Sequence, residues 1–365
     1  MRAAQLGGLV VEAGAGMRYL GGPRWRRSER PLLLAVGETG DVTLIGSAFE
    51  RHTYLGESER LPLRVVTWEE SEDPYALAVD ALEWGGKMRG AVATTPTTRG
   101  FVNAGLREAS GSRGLRVDSD LLDAGRRIKS ASEVALMRRA SEATKVAIAA
   151  ASRHLRAGMY EHEFADLVRA AQREAGLDDP WVLALFGPNA AYPHGTAQGR
   201  RLSEGDLVLV DTGGFLHGYA SDVTRTVAFP DPSAIEDEGR RAWDTVRAAQ
   251  TAALEAIGPG VRASEVDAAA RAVLKAAGYD GDYGDMTHRL GHGIGLEVHE
   301  TPYLVRGNER VLEVGNTMSD EPGIYRPGQF GVRIEDIVVV TEAGAEVLGP
   351  RVGGLDAGAL PLGLN

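Results

Sequence analysis

One stretch in the second half of this chain occurs twice. Gly158, Glu163, Arg169, Ala170, Ala175, Gly176 and Asp178 recur as Gly260, Glu265, Arg271, Ala272, Ala277, Gly278 and Asp280, every pair offset by 102 residues. The constant offset constrains the fold because both copies read alike: a helix, a glycine turn, then a second helix closing on Ala-Gly. A duplicated α/β unit whose halves face each other is expected, with a site at their junction. The repeat predicts an architecture and not a reaction.

Upstream, residues 1–120 read as short β-favouring runs bounded by Gly, Asp and Pro: Leu9–Val11, Leu32–Val36, Val42–Ile45 and Leu63–Val66. Ala76–Trp84 and Gly105–Ala109 read as helical or mixed segments between them. Strands alternating with helices predict a small α/β N-terminal domain over residues 1–122. Arg126-Arg127-Ile128-Lys129-Ser130 then leads into a long helical pattern from Glu133, with Val134, Met137, Ala140 and Thr144 at helical spacing. The second domain is therefore expected over residues 123–365. A loop at Gly21–Pro31 carries Arg24, Arg26, Arg27 and Arg30. It reads either as solvated surface or as an anion-gripping lid.

The composition, 43% hydrophobic and 25% charged, is that of a soluble globular protein. A net charge of −11 argues against non-specific nucleic-acid binding, which needs a basic face. With no cysteine in the chain, disulfides and thiolate metal sites are excluded. Any metal must be held by His, Asp, Glu or water. The N-terminus lacks a secretory signal pattern, and no run approaches the roughly 18 apolar residues of a membrane span. A cytoplasmic enzyme is the expectation.

The chemistry concentrates in His288–His299, H-R-L-G-H-G-I-G-L-E-V-H, which holds three of the eight histidines. Gly293 and Gly295 there permit tight bends and close approach. Before it, Leu207–Gly214 and Gly218–Thr226 read as two strands of a hairpin, with Asp211 ending the first and Asp222 beginning the second. Asp is depleted in strands, so two at such positions need a compensating partner, and a metal ion suits a cluster of carboxylates. After it come Glu321, in Ser319–Tyr325, and Glu335, which alternates with Ile334 like a strand residue. Each acid alone also reads as a capped turn or an ion pair. Asp211, Asp222, His292, Glu321 and Glu335 together are hard to read that way.

At these residues D-x-G…G-Y-x-S-D-x-T-R-T, G-H-G-I-G-L-x-V-H-E, E-P-G-I-Y and G-V-R-I-E-D resemble the pita-bread metallopeptidases. That family comprises methionine aminopeptidases, aminopeptidase P, prolidase and the metal-free creatinases. The resemblance implies a pseudo-twofold pita-bread catalytic domain behind a creatinase-like N-terminal domain. It also implies two divalent metal ions, with manganese favoured and cobalt or zinc as alternatives. By the same resemblance Asp211 chelates one ion, His292 and Glu321 bind the other, and Asp222 and Glu335 bridge them. Glu321 passes protons, His194 and His299 contact the substrate, and His288 and Arg333 lie behind them or at a proline pocket. A homodimer is implied as well. His52, His154, His162 and His217 have no such context and read as surface residues.

All five ligands are intact, which disfavours a creatinase and a non-catalytic binding protein on the same fold. The long N-terminal domain disfavours a methionine aminopeptidase. That leaves cleavage of small peptides with proline at the second position, whose ring fixes φ and removes an N–H. A dipeptidase must grip a free carboxylate just after the proline, most simply with arginine. The loop of Arg24, Arg26, Arg27 and Arg30 could supply it, so prolidase is favoured over aminopeptidase P. One departure is that the chain starts almost at its first strand, without the family's usual leading helix.

Overall fold

The computed structural model describes residues 6–58, 63–118 and 120–357, in two compact units of residues 1–126 and 127–365. The N-terminal unit is built on a six-stranded mixed sheet of order β4-β3-β2-β1-β5-β6. Its strands are β1 (Leu6–Glu12), β2 (Leu33–Gly37), β3 (Val42–Ser47), β4 (Arg64–Trp68), β5 (Ala91–Thr94) and β6 (Leu115–Val117). The helices are α1 (Ala15–Tyr19), α2 (Arg51–Ser58), α3 (Pro74–Ala81), α4 (Gly100–Ser110) and α5 (Asp120–Arg127). Both faces of the sheet are covered. Val10, Leu33, Ala35 and Ile45 pack on one side, and Leu9, Val11, Leu34 and Leu44 on the other. Double burial explains why these strands read as continuous apolar runs and not as alternating ones. The four expected strands are present. The strands β5 and β6, of four and three residues, are too short to give the sequence a periodic signal.

The second unit opens with α6 (Ala131–Ser152) and α7 (Glu161–Glu174), then β7 (Asp178–Phe186), β8 (Leu207–Leu216), β9 (Tyr219–Ala220) and β10 (Val223–Ala228). The second half repeats the helix pair as α8 (Asp237–Ala256) and α9 (Ala263–Ala276). Its strands are β11 (Gly291–Gly293), β12 (Glu300–Leu304), β13 (Thr317–Asp320), β14 (Gly323–Arg326), β15 (Phe330–Arg333), β16 (Asp336–Thr341) and β17 (Gly344–Val347). One sheet runs β10-β8-β7, a second β12-β11-β13-β16-β17, and β14 with β15 forms a two-stranded ribbon. One hydrophobic core spans both halves, from Ile148 and Phe164 to Leu274 and Val338. Among the described residues no helix is long and apolar enough to cross a membrane.

The repeated residues are largely the punctuation of the helix pairs. Glu163 and Glu265 both occupy the third position of their helices, and their carboxylates accept the backbone N–H of Tyr160 and Arg262, respectively. Such a contact satisfies an N–H that an open helix end leaves bare. Gly158 and Gly260 have φ of +81° and +87°, and Gly176 and Gly278 of +84° and +87°. Side-chain-bearing residues resist that left-handed region, which accounts for glycine at all four turns. Arginine breaks the symmetry. Arg169 pairs with Asp166 near the surface, whereas Arg271 is buried against Asp267.

Candidate metal centre and active site

Each acidic residue reaches the site from a strand or a strand end. Asp211 lies within β8, opposite Thr224 of β10, and Asp222 immediately precedes β10. Asp211 was expected to end its strand. It sits mid-strand because β8 continues past it, pairing Gly213 with Trp181 of the unanticipated β7 and Phe215 with Ala220. Glu321 directly follows β13. Glu335, expected within a strand, lies at the break where the chain leaves β15 for β16. That break is pinned. The Glu335 N–H donates to the Thr224 carbonyl at 3.1 Å, and Arg225 Nη1 donates to the Glu335 carbonyl at 2.6 Å.

His292 is the middle residue of β11, flanked by glycines for a steric reason. A Cβ on Gly291 would lie 2.0 Å from the Ser319 carbonyl oxygen, and one on Gly293 2.3 Å from that of Thr301. His292 Nε2 comes within 3.6 Å of Asp222 Oδ2 and 3.3 Å of Glu321 Oε1. Asp222, His292 and Glu335 offer ligand atoms that all lie within 4.8 Å of one another. Thr224 Oγ1 donates to Glu335 Oε2 at 2.7 Å, Ser319 Oγ to Glu321 Oε1 at 3.0 Å, and Arg333 Nη2 to Asp211 Oδ2 at 2.6 Å.

The remaining carboxylate oxygens test whether a cation fits. Asp211 Oδ1, Asp222 Oδ1 and Glu335 Oε1 are all buried without a hydrogen-bond partner. Three orphaned anionic oxygens from three residues, beside an imidazole nitrogen, form a hard oxygen-rich donor set that suits divalent cations. The electrostatics agree. Burial, reinforced by Glu335, Asp211 and Glu321, holds Asp222 well above the usual carboxylate range. Burial, with Glu321 and Asp211 nearby, does the same to Glu335. Burial pushes Glu321 up to about 7 against the pull of Arg333. Positive charge placed among them removes this frustration. Burial also lowers His292 and His299 to about 4 and His288 to about 3, keeping neutral the rings from which a ligand and hydrogen-bond donors must be drawn.

All five acidic and histidine candidates line one cavity of about 940 Å³, together with His194, His288, His299 and Arg333. The His292 and His299 rings are 4.2 Å apart between centroids, and His299 is exposed at the surface of the cavity. His288 Nε2 and the Tyr325 hydroxyl are 2.7 Å apart, and Arg333 Nη1 donates to that hydroxyl at 2.8 Å. Trp181, Leu183, Tyr192 and Val298 give the cavity an apolar wall. Of the loop arginines, Arg27 donates to the Ala13 carbonyl at 2.7 Å, and Arg30 pairs with Glu29 and Glu70 at 2.6 and 2.7 Å. Arg24 and Arg26 are exposed, as are His52, His154, His162 and His217.

Sequence reasoning did not find the layer behind the site. Asp320 and Asp336 face each other across β13 and β16. Lys145 Nζ and Arg225 Nη2 each lie 2.7 Å from Asp336 Oδ1, and Gln250 donates to Oδ2 at 3.1 Å. The two acidic doublets, Asp320-Glu321 and Glu335-Asp336, carried the signal. Neighbouring residues in extended chain point to opposite faces, so each doublet supplies one acid to the site and one to its back.

The family model for metallopeptidase family M24 matches residues 135–342. The probable dipeptidase PepE of Mycobacterium tuberculosis is 39% identical over 345 residues, covering 94% of this chain and 89% of that protein. The crystal structure of dipeptidase PepE from Mycobacterium ulcerans superposes with a TM-score of 0.86 at 38% identity, covering 97% of this chain and 94% of that one. The prolidase from Pyrococcus furiosus superposes with a TM-score of 0.81 at 30% identity, covering 95% of this chain and 97% of that one. The chain belongs to metallopeptidase family M24 and is a metal-dependent peptidase.

Proposed function

We propose that the protein is an Xaa-Pro dipeptidase, a prolidase, hydrolysing the bond before proline in dipeptides at a centre of two divalent metal ions. The observation that carries the metal centre is that Asp211, Asp222 and Glu335, each with one buried oxygen lacking a hydrogen-bond partner, line the same cavity as His292 and Glu321. In this reading Asp211 would hold one ion, His292 and Glu321 would hold the other, and Asp222 and Glu335 would serve both. Divalent cations there supply a water acidic enough to ionise near neutral pH and a Lewis acid for the scissile carbonyl. Manganese suits the oxygen-rich set best, with cobalt or zinc as alternatives.

The chain's own groups do the rest. Glu321, partly open to the cavity, takes the proton released by the attacking water and passes it to the departing proline nitrogen. That nitrogen carries no hydrogen in the peptide, so it cannot leave as an amine without one. His299, a neutral imidazole, donates to the carbonyl oxygen as negative charge builds there. His194 orients the peptide from the Tyr192–Gly195 segment, and His288 and Arg333 shape the proline side of the cavity. The same reading takes the enzyme to be a cytoplasmic homodimer with an N-terminal domain over residues 1–122, its size measurable by light scattering.

A volume of about 940 Å³ leaves room beyond a dipeptide, which favours an Xaa-Pro aminopeptidase acting on longer chains as the second reading. Turnover of Ala-Pro against Ala-Pro-Ala by the manganese-loaded protein separates the two. Comparable efficiency on the tripeptide overturns the dipeptidase assignment. Uptake of fewer than two equivalents of manganese after chelation and reloading overturns the dinuclear centre.

A further inference from the structure

The cavity contains two arginines, and they are held very differently. Arg333 is 3% exposed and its donors are taken by Asp211, Tyr325 and Thr224. Arg289 is exposed, lines the cavity beside His288, and among the described residues has neither a hydrogen-bonded side-chain partner nor an ion pair. Its guanidinium is nonetheless placed. It lies over the ring of Tyr303, 4.4 Å from the centroid. Tyr303 in turn pairs with His292 across β11 and β12, which ties the stacked guanidinium to the strand that carries the histidine of the cluster.

A planar cation resting on an aromatic face, with its N–H edge unsatisfied and a cavity before it, is preorganised for a planar anion. We infer that Arg289, held by Tyr303, is the specificity-determining residue that grips the free α-carboxylate of a substrate. This assignment rests on the dipeptidase reading, since only a dipeptide carries that carboxylate directly after the scissile bond's proline. The fork of a guanidinium matches both carboxylate oxygens, whereas a peptide amide at the same place offers one oxygen and no charge. Stacking on Tyr303 also limits the orientations that binding must freeze.

The test compares Ala-Pro with its C-terminal amide on the manganese-loaded full chain, measuring kcat and KM for each. Binding of L-proline and L-prolinamide is measured alongside by calorimetry. Wild type is expected to favour the acid in both assays. Arg289→Gln is expected to raise KM for Ala-Pro by about ten- to a hundredfold and to leave KM for the amide within about twofold. Arg289→Lys keeps charge without the fork and should fall between the two, and Tyr303→Ala should give a smaller selective rise. Matching thermal midpoints and manganese content across the variants separate a specificity change from misfolding. A wild type indifferent to the carboxylate overturns the assignment. So does an Arg289→Gln variant that loses acid and amide equally, or a selective loss confined to Arg26→Ala. Efficient tripeptide cleavage with the acid preference still abolished in Arg289→Gln refutes the strict dipeptidase reading while leaving Arg289 as the carboxylate anchor.

Discussion

Arg333 holds Asp211 by one oxygen only. Its Nη2 donates to Oδ2 at 2.6 Å, and Oδ1 is left buried with nothing bound to it. A guanidinium anchored on Tyr325 and Thr224 thus fixes how the carboxylate presents its other oxygen. Replacing Arg333 with Lys keeps a positive charge and loses the several fixed directions of the fork. Manganese affinity and kcat are each expected to fall by about ten- to a hundredfold. Titration calorimetry together with steady-state kinetics reads both, and unchanged affinity with reduced kcat would assign Arg333 to the substrate instead.

Metal removal should destabilise the fold, and one ligand variant should do the reverse. Asp222 is 4% exposed among Glu335, Asp211 and Glu321, so the metal-free cluster is strained by like charge and missing solvation. Asp222→Asn relieves that strain while damaging the site. Chelated Asp222→Asn protein is expected to be more stable than chelated wild type by about 1 kcal/mol, and to gain little on adding manganese. Wild type should gain about 2.7 kcal/mol for each ion bound when manganese is present at a hundred times that site's Kd. Urea melts with and without metal test both signs.

Acid sensitivity should come partly from the layer behind the site. Burial opposes ionisation of Asp336, but Arg225 and Lys145 outweigh it and hold the carboxyl at about 2, below its ordinary 3.8. A depressed folded-state value means that the unfolded chain takes the proton first. The resulting stability is complete above about pH 4 and drains away as the pH falls towards 2. Lys145→Met leaves the buried carboxylate with one cation fewer and is expected to cost about 3 kcal/mol at pH 7. Its stability should also decline less steeply between pH 4 and 2. Equilibrium unfolding across that range measures both.

The two halves can be compared through their glycine turns. Gly158 and Gly260 share a left-handed backbone, and a Cβ at either meets nothing within 4 Å. Alanine therefore costs backbone strain alone, about 1 kcal/mol at each position. Chemical denaturation of the two single variants should give matching losses. A large loss at only one would mean that its turn bears a cost beyond the shared backbone strain, and a lowered m-value would show that the halves do not melt as one cooperative unit.

Arg271 offers a contrast within the same repeat. Its Nε donates to Asp267 Oδ2 at 2.8 Å, Nη1 to the Gly281 carbonyl at 2.9 Å and Nη2 to the His288 carbonyl at 2.7 Å. Asp267 accepts the N–H of Leu290 at 3.2 Å. Arg271→Met should therefore loosen residues 281–290, seen as faster amide exchange at Leu290, whereas Arg169→Met at the equivalent position should be nearly silent.

The sequence made the helix pairs legible because their signals are local. Capping acids and left-handed glycines recur at fixed spacing and need no tertiary context. The acids and histidines gathered at the cavity were legible for a different reason, since charged residues inside apolar runs demand a partner. What stayed hidden depends on distant pairing. β7 has no alternation because its burial rises along the strand, from exposed at Asp178 to buried at Phe186, and the break at Glu335 is pinned by Thr224 and Arg225 from another strand. Arg289 passed unnoticed because its role depends on Tyr303, which lies fourteen residues on and meets it through a strand pairing. The arginines at Arg24–Arg30 were legible through their density in one loop.

The acidic doublets have one more consequence. Shifting this segment by one residue would place Asp336 where Glu335 now faces the cavity and Ile337 where Asp336 now meets Lys145, Arg225 and Gln250, with net charge unchanged. Electrostatics summed over the molecule would not distinguish the two alignments. Local pairing does: the shifted strand would set Ile337 against Lys145, Arg225 and Gln250 and leave two buried cations without their carboxylate. Lys145 and Arg225, each 2.7 Å from Asp336 Oδ1, thus favour the native register of β16 over a one-residue slip.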